Sequence, residues 1–126
     1  MLSEERKKQL IKELREFKLP YDRDAVKGEG RKASVDWKRV AEMKRTAREG
    51  TQSETIFYGT LDHLIDLKIL SLMPRGNYQL SGDSIPINLR SHGLLPLYFA
   101  RKRDAEAYKE AMFSRALYSV DIFKLS

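Results

Sequence analysis

The stretch TLDHLIDLKILSLMPRGNYQLS, residues 60 to 81, changes its apolar period with no linker between the two patterns. Phe57, Leu61, Leu64 and Ile65, flanked by Ile56 and Leu67, recur at the three- and four-residue spacing of one helix face. After Leu67 the period falls to two. Leu70 and Leu72 share a strand face, Pro74-Arg75-Gly76-Asn77 supplies turn residues, and Tyr78 and Leu80 return along a partner strand. A helix butted against a hairpin leaves few arrangements, because the hairpin must pack beside the helix that feeds it.

The remaining segments supply partners for that unit. Ser3 can cap a first helix with Leu10, Ile11, Leu14 and Phe17 on one side, and Leu19-Pro20 ends it. Residues 20–33 hold two glycines and several charges but little to bury, and read as a flexible loop. Ser34 offers the N-cap of a second helix, with Asp36 in its first turn and a stripe of Trp37, Val40, Ala41, Met43 and Ala47 that stops at Gly50. Thr51 and Glu54 have capping-box spacing and open the third helix, whose Thr55, Tyr58, Asp62 and Asp66 face away from its apolar side. Beyond the hairpin, Ile85, Ile87 and Leu89 alternate around Pro86, which confines any strand there to an edge. A C-terminal helix within residues 97–119 buries Ala105, Tyr108, Ala111, Met112 and Ala116. Tyr118, Val120 and Ile122 then alternate as a short strand or docked tail. At 126 residues the whole is one domain, mainly α with a small β-hairpin.

Helix, tight turn, helix, hairpin is the order of a winged helix-turn-helix. Over residues 34–81 the chain resembles that superfamily, with Leu61, Leu64, Leu67, Ile69, Leu70, Tyr78 and Leu80 in the places of its helix-to-wing pattern. The resemblance implies a winged helix carrying an extra C-terminal helix. It implies that Thr51, Gln52, Ser53, Thr55 and Tyr58 face base edges and phosphates and that Arg75 at the hairpin tip meets the backbone. Lys38, Arg39, Lys44, Arg45 and Arg48 would add positioning contacts. Two places depart from the family. Lys68 stands where a glycine usually ends the helix, and a left-handed conformation there costs a lysine about 1 kcal/mol. Gly59 stands where DNA-binding members carry a polar reader, and inside a helix it costs about 1 kcal/mol against alanine.

Charge directs the functional reading. Lysine and arginine number 24 against 18 acidic residues, which favours a polyanionic partner through counterion release. Double-stranded DNA is the expected ligand of a small transcriptional regulator, with a homodimer contact through the last helix in view. The competing expectation is a non-catalytic subunit or inhibitor whose basic face meets an acidic protein or structured RNA. No hydrolase, phosphate-loop, dinucleotide or zinc-protease motif occurs, so neither catalysis nor a cofactor is expected. His63 beside Asp62 and Asp66 lacks a third ligand for zinc, and no metal is expected. The absence of cysteine, of a signal-like N-terminus and of any span-length apolar run makes an intracellular protein, free of the membrane, the expectation.

Overall fold

The computed structural model describes residues 3–16, 20–81, 86–87, 95–113 and 120–125, with backbone alone at 10, 11 and 13–16. Helix α1 (Glu4–Glu16) is capped by Ser3, whose hydroxyl accepts from the Arg6 amide at 3.2 Å. Its expected apolar stripe lies outside the described side chains. Residues 20–33 do more than loop. They form β1 (Val26–Lys27) and a 3-10 turn (Gly30–Lys32), and β1 pairs with β2 (Ser34–Val35). Ala25, Val26 and Ala33 are buried there, so small residues that promised little core still anchor the segment.

Helix α2 (Trp37–Thr46) is capped by Asp36 rather than Ser34: the Asp36 carboxylate accepts from the Arg39 amide at 3.2 Å, while Ser34 belongs to β2. Its buried Trp37, Val40 and Ala41 face α4 (Lys102–Phe113) and α3 (Gln52–Asp66). The start of α2 meets the start of α4 through Trp37 Nε1, which donates to Asp104 Oδ1 at 2.8 Å. The end of α2 meets the end of α4 through Arg45, which donates to the Ala111 carbonyl at 3.3 Å. The two helices therefore run in the same direction. Trp37, Phe99 and Tyr108 meet edge-on or tilted within the core, each pair 5.2 to 5.7 Å apart.

Helix α3 ends at Lys68, the only non-glycine with positive φ among the described residues, at 63°. The Ile69 amide donates to Leu64 and that of Lys68 to Ile65, both at 2.9 Å, a Schellman closure that a glycine would adopt without strain. The chain then enters β3 (Leu70–Ser71), but the expected hairpin is corrected. β4 (Tyr78–Leu80) does not pair with β3. β5 (Tyr98–Phe99) lies between them and β6 (Ile122–Lys124) covers the far side of β4, giving an antiparallel order β3-β5-β4-β6. Fully buried Phe99 opposes both Leu70 and Tyr78, so the strands that sequence would pair directly are wedged apart by an apolar strand from later in the chain. The last helix accordingly starts at Lys102, not at 97, and residues 114–119 lie outside the described set.

The architecture of the described residues is mixed α and β, with four helices and small antiparallel sheets. Among the described residues, no helix is long and apolar enough to cross a membrane.

Two substitutions test these joints. Asp104→Ala strands a buried indole N–H and the half-buried Arg101 guanidinium. It is expected to cost about 3–5 kcal/mol in urea unfolding. Lys68→Gly removes about 1–2 kcal/mol of strain but adds about 0.5–1 kcal/mol of chain entropy, so a rise of about 0.5 kcal/mol is expected in the same assay.

Candidate nucleic-acid interface

A recognition helix needs an open outer face. On α3 that face is closed by the chain itself. The Tyr21 ring stacks on His63 at 3.9 Å, the Asp22 amide donates to Thr60 Oγ1 at 3.0 Å, and Gly59, Thr60 and Asp62 are buried. The expectation that Asp62 faces away is thus overturned, and Gly59 lies inside the fold rather than against a partner. The cause is local. Pro20 to Asp22 lay one aromatic ring and one main-chain donor along the helix, which little in their composition advertises.

The first turn of α3 is closed on one side only. Thr51 caps it, donating to the Arg48 carbonyl at 2.6 Å and accepting from the Glu54 amide at 3.5 Å. The reciprocal arm of the capping box shifts by one residue, since Glu54 Oε1 accepts from the Gly50 amide at 3.3 Å. The same oxygen accepts from Arg6 Nε at 2.8 Å, and Arg6 also donates to Thr55 Oγ1 at 3.3 Å. Glu49 accepts from the Ser3 amide at 3.1 Å. Helix α1 therefore covers Thr55 and leaves Thr51, Gln52 and Ser53 exposed. Tyr58 is half-buried, edge-on to Phe57, and burial followed by the nearby Glu54 charge pushes its phenol up from the ordinary value. Beside it a cavity of about 260 Å³ is lined by Lys44, Glu49, Glu54, Phe57, Tyr58 and Ile87, a mixed-sign wall unsuited to a phosphate.

Helix α2 presents its cations unequally. Arg39 is bound to Asp22 and lies 3.7 Å from Asp24. Arg45 is held by Glu42 at 3.0 Å and by the end of α4. Lys38 and Arg48 are exposed and pair with no carboxylate among the described residues. Arg75 is exposed in the turn between β3 and β4, whose geometry rests on the Asn77 side chain donating to the Met73 carbonyl and on Gly76 at φ 77°. Met73 is 68% exposed beside that turn, where the Gly76 amide donates to Leu125, and Phe123, opposite Gln79 on the edge strand β6, is 50% exposed. The structure thus brings together Arg48, Thr51, Gln52 and Ser53, keeps Lys38 at the far end of α2, and leaves Arg75 on the sheet.

Charge follows the same division. Residues 51–81 contain only Lys68 and Arg75 against Glu54, Asp62 and Asp66, so the expected reading helix and wing are the acidic part of a basic chain. The RKR run Arg101–Arg103 reads from sequence as either a second phosphate-facing patch or a solvated first turn, with cations where the helix dipole opposes them. What sequence reasoning missed is its neighbour: Arg101 binds Asp104 and donates to the Arg31 carbonyl, which sets the GRK turn Gly30–Lys32 against the RKR run. Among the described residues no three histidine or acidic groups converge to hold a metal ion.

Asp22 also has a pH consequence. Burial pushes its carboxyl up, but the Arg39 hydrogen bond and the amides of Asp24 and Ala25 outweigh this and leave it below the ordinary carboxylate value. A carboxyl depressed on folding adds stability above its unfolded pKa of about 4, and that stability is lost as pH falls through the lower folded value. Arg39→Ala is therefore expected to lower stability at neutral pH and to flatten its decline below about pH 4, read from urea midpoints across the acid range. Comparison of the chain with protein-family models, with characterised proteins and with solved structures finds no match.

Proposed function

We propose that this chain is a non-catalytic module on a winged helix-turn-helix scaffold that grips duplex nucleic acid by its phosphates and inserts no helix into a groove. The α2, turn and α3 unit, followed by β3 and β4, supports the scaffold, with α1 and α4 as additions and β5 inserted into the wing. One observation carries the ligand reading: Lys38 and Arg48, exposed and without a carboxylate partner among the described residues, lie at the two ends of α2 while Tyr21 and Asp22 cover the outer face of α3. Lys38 lies in the first turn of α2 and Arg48 two residues past its end at Thr46, so they sit at opposite ends of a helix about 15 Å long, a spacing that can meet separate phosphates. Thr51, Gln52 and Ser53 add hydrogen-bonding groups beside Arg48, at the end of α3 where main-chain amides lack helical partners. Such contacts position a duplex without reading its sequence.

A protein-docking reading is favoured by a separate observation, the exposure of the large apolar side chains Met73 and Phe123 at the sheet. Titration of unrelated duplexes at several salt concentrations separates the two. Backbone binding is expected to give equal affinities for all sequences, a steep fall with salt, and a slope about one unit shallower in Lys38→Ala and in Arg48→Ala. No duplex binding at the lowest salt would overturn the reading in favour of docking. Strong preference for one sequence would overturn it in favour of groove insertion.

A further inference from the structure

The GRK turn and the RKR run are seventy residues apart in sequence and touch in space. Arg101 is the joint. Its guanidinium is taken up by the buried Asp104 carboxylate and by the Arg31 main-chain carbonyl, so it is a structural clamp rather than a free charge. The cationic residues beside it are exposed. Arg31 and Lys32 on the 3-10 turn and Arg103 in the first turn of α4 are exposed and pair with no carboxylate among the described residues. Lys102 is also exposed, with Glu106 at 3.9 Å.

The Arg101–Arg31 contact places four exposed cationic residues within two positions of one joint, a concentration of charge that is unfavourable without a counter-charge. Among the described residues none supplies one at full strength. Asp104 is 4% exposed and committed to Trp37 and Arg101, and Asp36 caps α2. The nearby exposed carboxylates, Glu29 and Glu106, are two against four. The helix dipole adds to the cost, since Lys102 and Arg103 occupy the end of α4 that repels cations by some tenths of a kcal/mol each. A surface that breaks a local rule with no structural return is the mark of a site kept for a ligand. The glycines on either side of Glu29 complete the geometry. Gly28 and Gly30 have φ of 93° and 60°, and a Cβ on Gly28 would come within 3.3 Å of Ala33 Cα, so the tight loop that carries Arg31 and Lys32 to α4 depends on them.

We propose that Arg31, Lys32, Lys102 and Arg103 form a phosphate-binding seat, distinct from the α2–α3 turn, that takes neighbouring phosphates of a polyanion. The seat rests on the nucleic-acid reading only for the source of those phosphates. Two arginine forks and two lysine point charges suit closely spaced phosphoryl oxygens, whether along a polynucleotide backbone or in a free oligophosphate.

The single tryptophan reports on it. Trp37 begins α2 and donates its indole N–H to Asp104, inside the clamp beneath the seat, so its one indole N–H resonance should respond to a bound phosphate chain. The probes are tripolyphosphate and a random-sequence duplex, titrated into the full chain and into Lys32→Gln/Arg103→Gln, with thermal melts to confirm that these exposed changes leave the fold intact. The seat predicts a saturable indole shift with tripolyphosphate, weakened at least about tenfold in the variant, and a duplex salt slope about two units shallower. Loss of tripolyphosphate binding with duplex binding unchanged assigns the seat to free oligophosphate. The same loss in a chain that binds no duplex retains the seat and rejects the function proposed above. Tripolyphosphate and duplex binding both equal in variant and wild type overturn the seat.

Discussion

Asp104 is the constraint on which the rest of this structure depends. A carboxylate 4% exposed is costly unless every lone pair is used, and here the indole of Trp37 and the guanidinium of Arg101 use them. The arrangement does three things at once. It fixes the start of α2 against the start of α4, it makes those helices parallel, and through Arg101 it holds the 3-10 turn beside the start of α4. Phe99, just before Arg101, is then positioned to enter the sheet between Leu70 and Tyr78. A single buried charge therefore links the helical layer, the sheet and the basic surface.

Helix α3 illustrates the opposite principle, a surface closed by small contributions. One stacked ring, one main-chain amide and one arginine cover the side that a groove-reading helix keeps open. Each contact is ordinary, but together they cover the middle of the helix and leave its first turn, and Asp66 in its last, exposed. In the function proposed above, this shifts the emphasis from base edges to phosphates. Phosphate contacts are also what the distribution of free cations supports.

Much of the local structure was legible in the sequence. The stripe of Trp37, Val40 and Ala41 and the cap at Thr51 follow from short-range rules, and each is present, while the left-handed turn at Lys68 stands where the resemblance puts the helix end. The sheet was not legible in the same way. Strand β5 is two residues long, too short to show a period, and its LYFA setting reads equally well as the approach to a helix. Asp36 displaced Ser34 as the cap because Ser34 was needed opposite Lys27 in the β1–β2 ladder, a tertiary pairing that cap preference cannot anticipate. The site was half legible. The excess of cations and the segments carrying them were plain, whereas the pairing of Arg39 with Asp22 and of Arg45 with Glu42, which removes two of them, depends on the fold or on rotamers. The meeting of Arg31 with Arg101 needed coordinates.

The central claim is that a polyanion is held by α2 and the surfaces flanking it while α3 stays sealed. Mapping backbone amide shifts while a short duplex is added tests it most directly. The account predicts changes at Lys38, Arg48 and Thr51 to Ser53, and none at Thr60, His63 or Tyr21. Changes centred on Thr60 and His63, with the Tyr21 stack released, would mean that α3 opens to enter a groove and would contradict it.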